Sequence, residues 1–193
     1  LTQHRQIASL EEVFMDDTMD ALQKLTRARF YTAQNLSREK NRFFNHLFLK
    51  FSSLMQEKIF SDTFGATSSS IIEEFFSVDD IAYMPVEELA DFINKKAKSH
   101  FSDPSEVARL VQKAAGSSYR LPKTVNDSVN QVLAISYSAI RALKEQLASF
   151  DKAIEELFKL IPNTLISVKG IGPVYSAGII AEIGDIHRFK DQA

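Results

Sequence analysis

Apolar positions recur at helical spacing along almost the whole chain, and the apolar-polar alternation of strands is nearly absent. A first long helix is predicted from near Thr18 to near Phe60. At about 100° per residue, Leu22, Leu25, Ala33, Leu36, Phe43, Phe44, Leu47, Phe51, Leu54 and Met55 share one face. Lys24, Arg27, Arg38, Arg42 and His46 fall on the opposite face. A rod of about forty residues is about 60 Å long and needs a partner to cover its apolar stripe.

A partner is legible further on. Val129, Leu133, Ser136, Ile140, Leu143, Leu147, Phe150, Ile154, Leu157 and Ile161 follow in steps of four and three, with Ser136 the one polar member. This is the repeat of a coiled coil. Its mate is either the first rod of the same chain or a second copy, so a homo-oligomer built through the coiled coil is expected. Between the rods, SDTFGATSSS reads as a loop before a helix over Ile71 to Phe76. Pro85 opens another helix that is acidic early and basic late, which suits the helix dipole. DPSEVARLVQKAAG has Asp103 or Ser105 as its cap and Gly116 as its stop. The expected fold is all-α, with long antiparallel coiled-coil helices, a small helical insertion and a C-terminal helix-hairpin-helix. The corresponding division is a basic-striped first helix (1–62), an acidic insertion (63–120), the heptad helix (121–162) and the hairpin (163–193).

Composition narrows the possibilities. Of 193 residues, 45% are hydrophobic and 25% charged, ordinary for a globular protein, and no apolar run is long enough for a membrane span. Cysteine is absent, which removes disulfides and thiolate chemistry and agrees with a cytoplasmic setting. The N-terminus has no secretory signal pattern and does not begin with Met, so the chain is expected to be a piece of a longer one. The net charge of −2 hides a segregation: residues 1–23 carry −4, 24–50 carry +6, 51–110 carry −6, and the remainder +2. A basic block inside an acidic chain suggests a local polyanion-binding surface, or simply a solvated helix face.

The stretch LISVKGIGPVYSAGII, Leu165 to Ile180, carries the most specific chemistry. Glycines let a turn pass through positive φ and keep side chains away from an approaching backbone. Pro173 suits the first position of a helix, where a missing N–H costs nothing. The free amides of Gly170, Gly172 and Val174, with Ile171 in the turn between them, would then face a phosphate at the positive end of a helix dipole. Lys169 adds a charge. Such a hairpin holds one nucleic-acid backbone and reads no bases. Local charge is balanced, since Lys169, Arg188 and Lys190 face Glu182, Asp185 and Asp191, so affinity must come from elsewhere, the basic stripe above all. The competing reading is a tight turn that only joins two helices.

No P-loop, dinucleotide fingerprint or nucleophile elbow is present. His4, His46, His100 and His187 lack metal-ligand spacing, so no metal site is expected. The pairs Glu73-Glu74, Asp79-Asp80 and Glu87-Glu88 are adjacent residues that point apart on a helix and are expected to face solvent.

KGIGPVYSAGIIAEIGDIHRF resembles the start of the C-terminal transposase domain of the insertion sequence 110 family, with its GIGP…A…IxAEIGDIxRF run. LQKLTRARFYTAQNLSREKNRFFNHL is similar to that family's LTRxR…NRL helix, upstream of its coiled coil. The resemblance implies DNA transposition and recombination, with DNA as partner and, in some members, a structured guide RNA. It also implies a RuvC-like nuclease domain whose four acids bind Mg²⁺, and a nucleophilic serine downstream of the hairpin. Neither has a counterpart in these residues, so no catalytic residue or cofactor is assigned, and the piece is expected to be catalytically inactive by itself. Two alternatives stand beside this reading: a helical scaffold or dimerisation module whose hairpin is only structural, and a DNA-repair accessory module.

Overall fold

The computed structural model describes residues 2–57, 59–75, 77–97 and 101–184, with side chains described from residue 17 onward. The fold is all-α: the described residues form eight α-helices and one 3₁₀ turn, with no strand among them. In chain order these are α1 (Thr2–Lys50), α2 (Ser52–Glu57), α3 (Ala66–Glu74), α4 (Val78–Ala82), α5 (Val86–Ala97), α6 (Pro104–Ser117), α7 (Lys123–Phe158), the 3₁₀ turn (Leu165–Ser167) and α8 (Pro173–Ile183). No helix among the described residues is long and apolar enough to cross a membrane. The chain divides into two compact units, one of Leu1–Ser37 with Arg141–Ala193, the other of Arg38–Ile140.

The second unit is built on the C-terminal part of α1 and the N-terminal part of α7. Phe43, Leu47 and Phe51 are fully buried, as are Ile71, Ile81, Leu89, Ile93, Val111 and Ile140 from the surrounding helices. Phe43 and Tyr137 approach with ring centroids 6.1 Å apart, and the Ser136 hydroxyl donates to Glu39. The single polar member of the heptad repeat is therefore satisfied by a carboxylate of α1.

Several element boundaries differ from the expectations. The first rod does not continue to Phe60: α1 ends at Lys50 and α2 starts at Ser52. The reason is competition for backbone groups. The Ser53 amide donates to the Ser118 hydroxyl at 3.2 Å, and the Ser52 hydroxyl accepts from the Tyr119 amide at 3.4 Å, so the end of α6 interrupts the helical ladder. ATSSS is the first half of α3 and not a loop. Thr67, Ser68 and Ser69 are buried, and Ser69 accepts from the Tyr137 hydroxyl at 2.7 Å, so small polar side chains fill a tight inward face. In α6 the cap is Asp103, which accepts from the Glu106 amide at 3.0 Å. Its stop is Ser118, whose hydroxyl donates to the Ala114 carbonyl at 2.8 Å, and Gly116 lies inside the last turn. Glu87 and Glu88 are exposed as expected, but members of the other two acidic pairs have partners. Asp80 completes a capping box with Ser77 at the start of α4, Asp79 pairs with Arg120 at 3.0 Å, and Glu74 pairs with Lys96.

The first unit combines the N-terminal part of α1, the C-terminal part of α7, the 3₁₀ turn and α8. Leu22, Ile154, Phe158, Ile161, Ala177 and Ala181 form its buried cluster, with Leu25, Phe150 and Leu157 packed against it. Arg29 pairs with Asp151 while Leu22 meets Ile154 and Phe158, so α1 and α7 run antiparallel here. Ile161 lies beyond the end of α7 but is still buried. The small side chains Ser176, Ala177 and Ala181 are all buried and let α8 approach closely. The Gln23 side chain fixes this approach by donating to the Ala181 carbonyl at 3.1 Å.

Candidate nucleic-acid interface

The segment from Thr164 to Gly172 is a short hinge held by its own backbone. Ser167 donates to the Thr164 carbonyl, Val168 to Leu165 and Ile171 to Val168, each at 3.1 Å. Before the turn stands a single 3₁₀ turn where a hairpin arm is expected. With Pro162 behind it and Gly170 ahead, the segment has little room for a longer helix. Gly170 has a φ of 94°, in the left-handed region that disfavours any residue with a Cβ. Gly172 then takes the N-cap position of α8, and Pro173 follows in the first turn.

Of the five hairpin residues, Ile171 uses its amide inside the turn. The amides of Gly170, Gly172 and Val174 have no acceptor among the described residues. Lys169, Gly170 and Gly172 are exposed, and Ile171 and Val174 are half-buried. A Cβ added at Gly172 would meet nothing within 4 Å, and its φ of −80° suits any residue. Glycine is a favoured N-cap residue, and here it also leaves the space before α8 open to an outside group. At the N-terminus of an eleven-residue helix, these unpaired donors and the dipole together favour an anion.

The basic residues of α1 are described unit by unit. In the first, Lys24 pairs with Asp20, and Arg27 makes a bidentate pair with Glu182 of α8, Nε to Oε1 at 2.8 Å and the second nitrogen to Oε2 at 2.9 Å. That hydrogen-bonded pairing raises the Arg27 pKa and lowers that of Glu182, though both side chains stay exposed. In the second, Arg42 pairs with Glu39 at 3.3 Å, the His46 ring Nδ1 lies 2.8 Å from the Arg42 carbonyl, and Arg38 is exposed. The carboxylate partners come from α1 itself and from α8, not from the acidic helices α3 to α6.

Residues that the apolar-stripe reading passed over also gather in the first unit. Phe30, Tyr31 and Tyr175 are 58%, 61% and 73% exposed, and they line a groove of about 490 Å³ between α1 and α8. The available signal was that Phe30 and Tyr31 lie off the apolar stripe of α1, where large rings have no core to enter. Among the described residues no group of three or more His, Asp or Glu could hold a metal ion. His4, His100, His187, Arg188 and Lys190 lie outside the residues or side chains described.

Residues 163–193 match the profile of the Transposase IS116/IS110/IS902 family. The match covers the 3₁₀ turn, the glycine turn and α8. No curated protein and no solved structure matches the chain.

Proposed function

We propose that this chain is a nucleic-acid-binding and assembly portion of a transposase that moves an insertion sequence by DNA recombination. The observation that carries the reading is the set of unpaired amides at Gly170, Gly172 and Val174, at the turn and the first residues of α8, inside the segment that matches the transposase family. In this reading the three amides and Lys169 hold one phosphate of a DNA backbone. Lys24, Arg38, Arg42 and His46 supply the charge that the turn lacks, and Arg27 joins them where a phosphate displaces Glu182. A structured guide RNA presents the same phosphates and is a second ligand of this chemistry. No step through Mg²⁺ is assigned to these residues, since no acidic cluster among the described ones fits it.

Gel-shift titration of duplex DNA and of a structured RNA tests the reading. Affinity is expected to fall steeply between low and moderate salt, because neutralising each phosphate releases about one counterion. Substituting Arg27, Arg38 and Arg42 together with Glu is expected to abolish most binding. Binding indifferent to salt, or unaffected by the triple substitution, defeats the assignment. The scaffold reading has its own support in exposed apolar residues of α7, Val132 and Ile135, which give assembly a surface.

A further inference from the structure

Three aromatic rings stand in solvent at the groove between α1 and α8, although the core of the same unit lies close by. Phe30 and Tyr31 are set edge-to-face with centroids 5.9 Å apart, and Tyr175 comes from the first turn of α8. The groove floor includes Gly178, in the middle of α8, where a Cβ would meet nothing within 4 Å. A mid-helix glycine costs roughly 1 kcal/mol relative to alanine, and no close packing in the fold requires it. What it does provide is open space in the lining it shares with the rings. The guanidinium groups of Arg27 and Arg29 border the same space. Val174, whose amide like those of Gly170 and Gly172 has no acceptor among the described residues, also lines it.

Resting on the nucleic-acid reading above, we infer that this groove receives unpaired nucleobases of a single-stranded polynucleotide, stacked against Tyr175, Tyr31 and Phe30. A strand whose phosphate sits at the glycine turn brings its neighbouring base to Tyr175, because Val174 belongs to both features and Tyr175 follows it. Stacking on aromatic faces tolerates any base, and arginine planes at the rim add to it. The groove is thus the place where a melted or looped strand is held, while the turn holds backbone alone. Arg27 and Arg29 are already neutralised by Glu182 and Asp151, so ring stacking and not net charge dominates the contact.

The test uses single-stranded DNA and RNA oligonucleotides carrying 2-aminopurine, with a duplex of the same sequence in parallel. Tyr31→Ala and Tyr175→Ala are each expected to weaken single-strand binding about tenfold and to relieve the quenching of 2-aminopurine, with thermal stability unchanged. Tyr175→Phe should retain both binding and quenching. Gly178→Leu fills the groove and improves helix propensity, so it should abolish single-strand binding without loss of stability. Unchanged single-strand affinity in the alanine variants overturns the inference, as does a Tyr175→Phe variant as weak as Tyr175→Ala. Dissolution of a dimer by these variants with oligonucleotide binding intact also overturns it and makes the groove a protein interface. The two readings separate cleanly. Loss of both duplex and single-strand binding in Gly172→Ala belongs to the turn, whereas single-strand quenching that fails while duplex binding holds removes the groove alone. A difference between the DNA and RNA arms identifies which sugar the strand carries.

Discussion

At the tip of the turn before α8, Gly170 takes a φ of 94° while Gly172, two positions on, has an ordinary backbone and open space around it. Substitution should separate these roles. Gly170→Ala forces a Cβ into the left-handed region and is expected to destabilise the chain by about 1–2 kcal/mol. Gly172→Ala should lower the melting temperature only slightly, through a poorer N-cap, and weaken duplex binding by placing a Cβ in the open space before α8. A Gly172→Ala chain that binds normally removes the turn from the interface. A second residue-scale prediction concerns Lys50, which is buried and donates to the Ile72 carbonyl at 2.8 Å, one of the open carbonyls at the end of α3. Burial, partly offset by the charge of Asp80, lowers its ammonium from 10.5 to about 8. Between these values the folded chain has released a proton that the unfolded chain still holds, so this residue makes stability rise with pH. Relative to Lys50→Met, the parent chain should gain up to about 3 kcal/mol between pH 7 and pH 10. Denaturant titrations across that range check it, and parallel pH profiles of the two proteins contradict it.

Among the elements, α8 is held by two different kinds of contact. Its small buried side chains pack on Leu22 and the end of α7, and Glu182 clasps Arg27 at the groove rim. Leu22→Ala removes a fully buried side chain at this junction and should cost about 2–5 kcal/mol, measurable as a lower denaturation midpoint. Glu182→Gln should do the opposite for function. It frees the Arg27 guanidinium for phosphate, so duplex affinity should rise and the salt dependence steepen by about one ion; a weaker complex would mean that the pair positions α8 instead. Periodicity made α1, α5 and α7 legible because each has a repeating apolar face over several turns. It failed at α3, where the buried residues Thr67, Ser68 and Ser69 are polar and signal a loop by composition. It failed again at Phe51, where the apolar stripe runs on but the Ser118 hydroxyl, just past α6, takes the Ser53 amide. The candidate turn was legible because glycine and proline declare backbone geometry directly. The groove was not, because it exists only when two segments distant in sequence come together.

At the scale of the whole molecule, the heptad face of α7 is used unevenly. Val129, Leu133, Ser136 and Ile140 are buried in one unit and Ile154 in the other, while Leu143, Leu147 and Phe150 are only half-buried. Together with exposed Val132 and Ile135, this leaves apolar surface for assembly, and a dimer is expected in light scattering that Ile135→Glu or Leu143→Glu weakens. A monomer at all concentrations would confine the repeat to intramolecular packing. The division into units has a consequence for how the chain comes into being. Arg38–Ile140 is one uninterrupted stretch, whereas the other unit joins the first residues to the last. On the ribosome, where segments emerge in order, the central unit can close before synthesis finishes. Leu22 must wait, without its partners, until Ile154, Phe158 and Ala177 have been made. Closing so long a loop is the slow step expected of non-local contacts. The aromatic groove and the glycine turn therefore form after the central unit, so a chain ending before α8 has a finished centre and neither of these features.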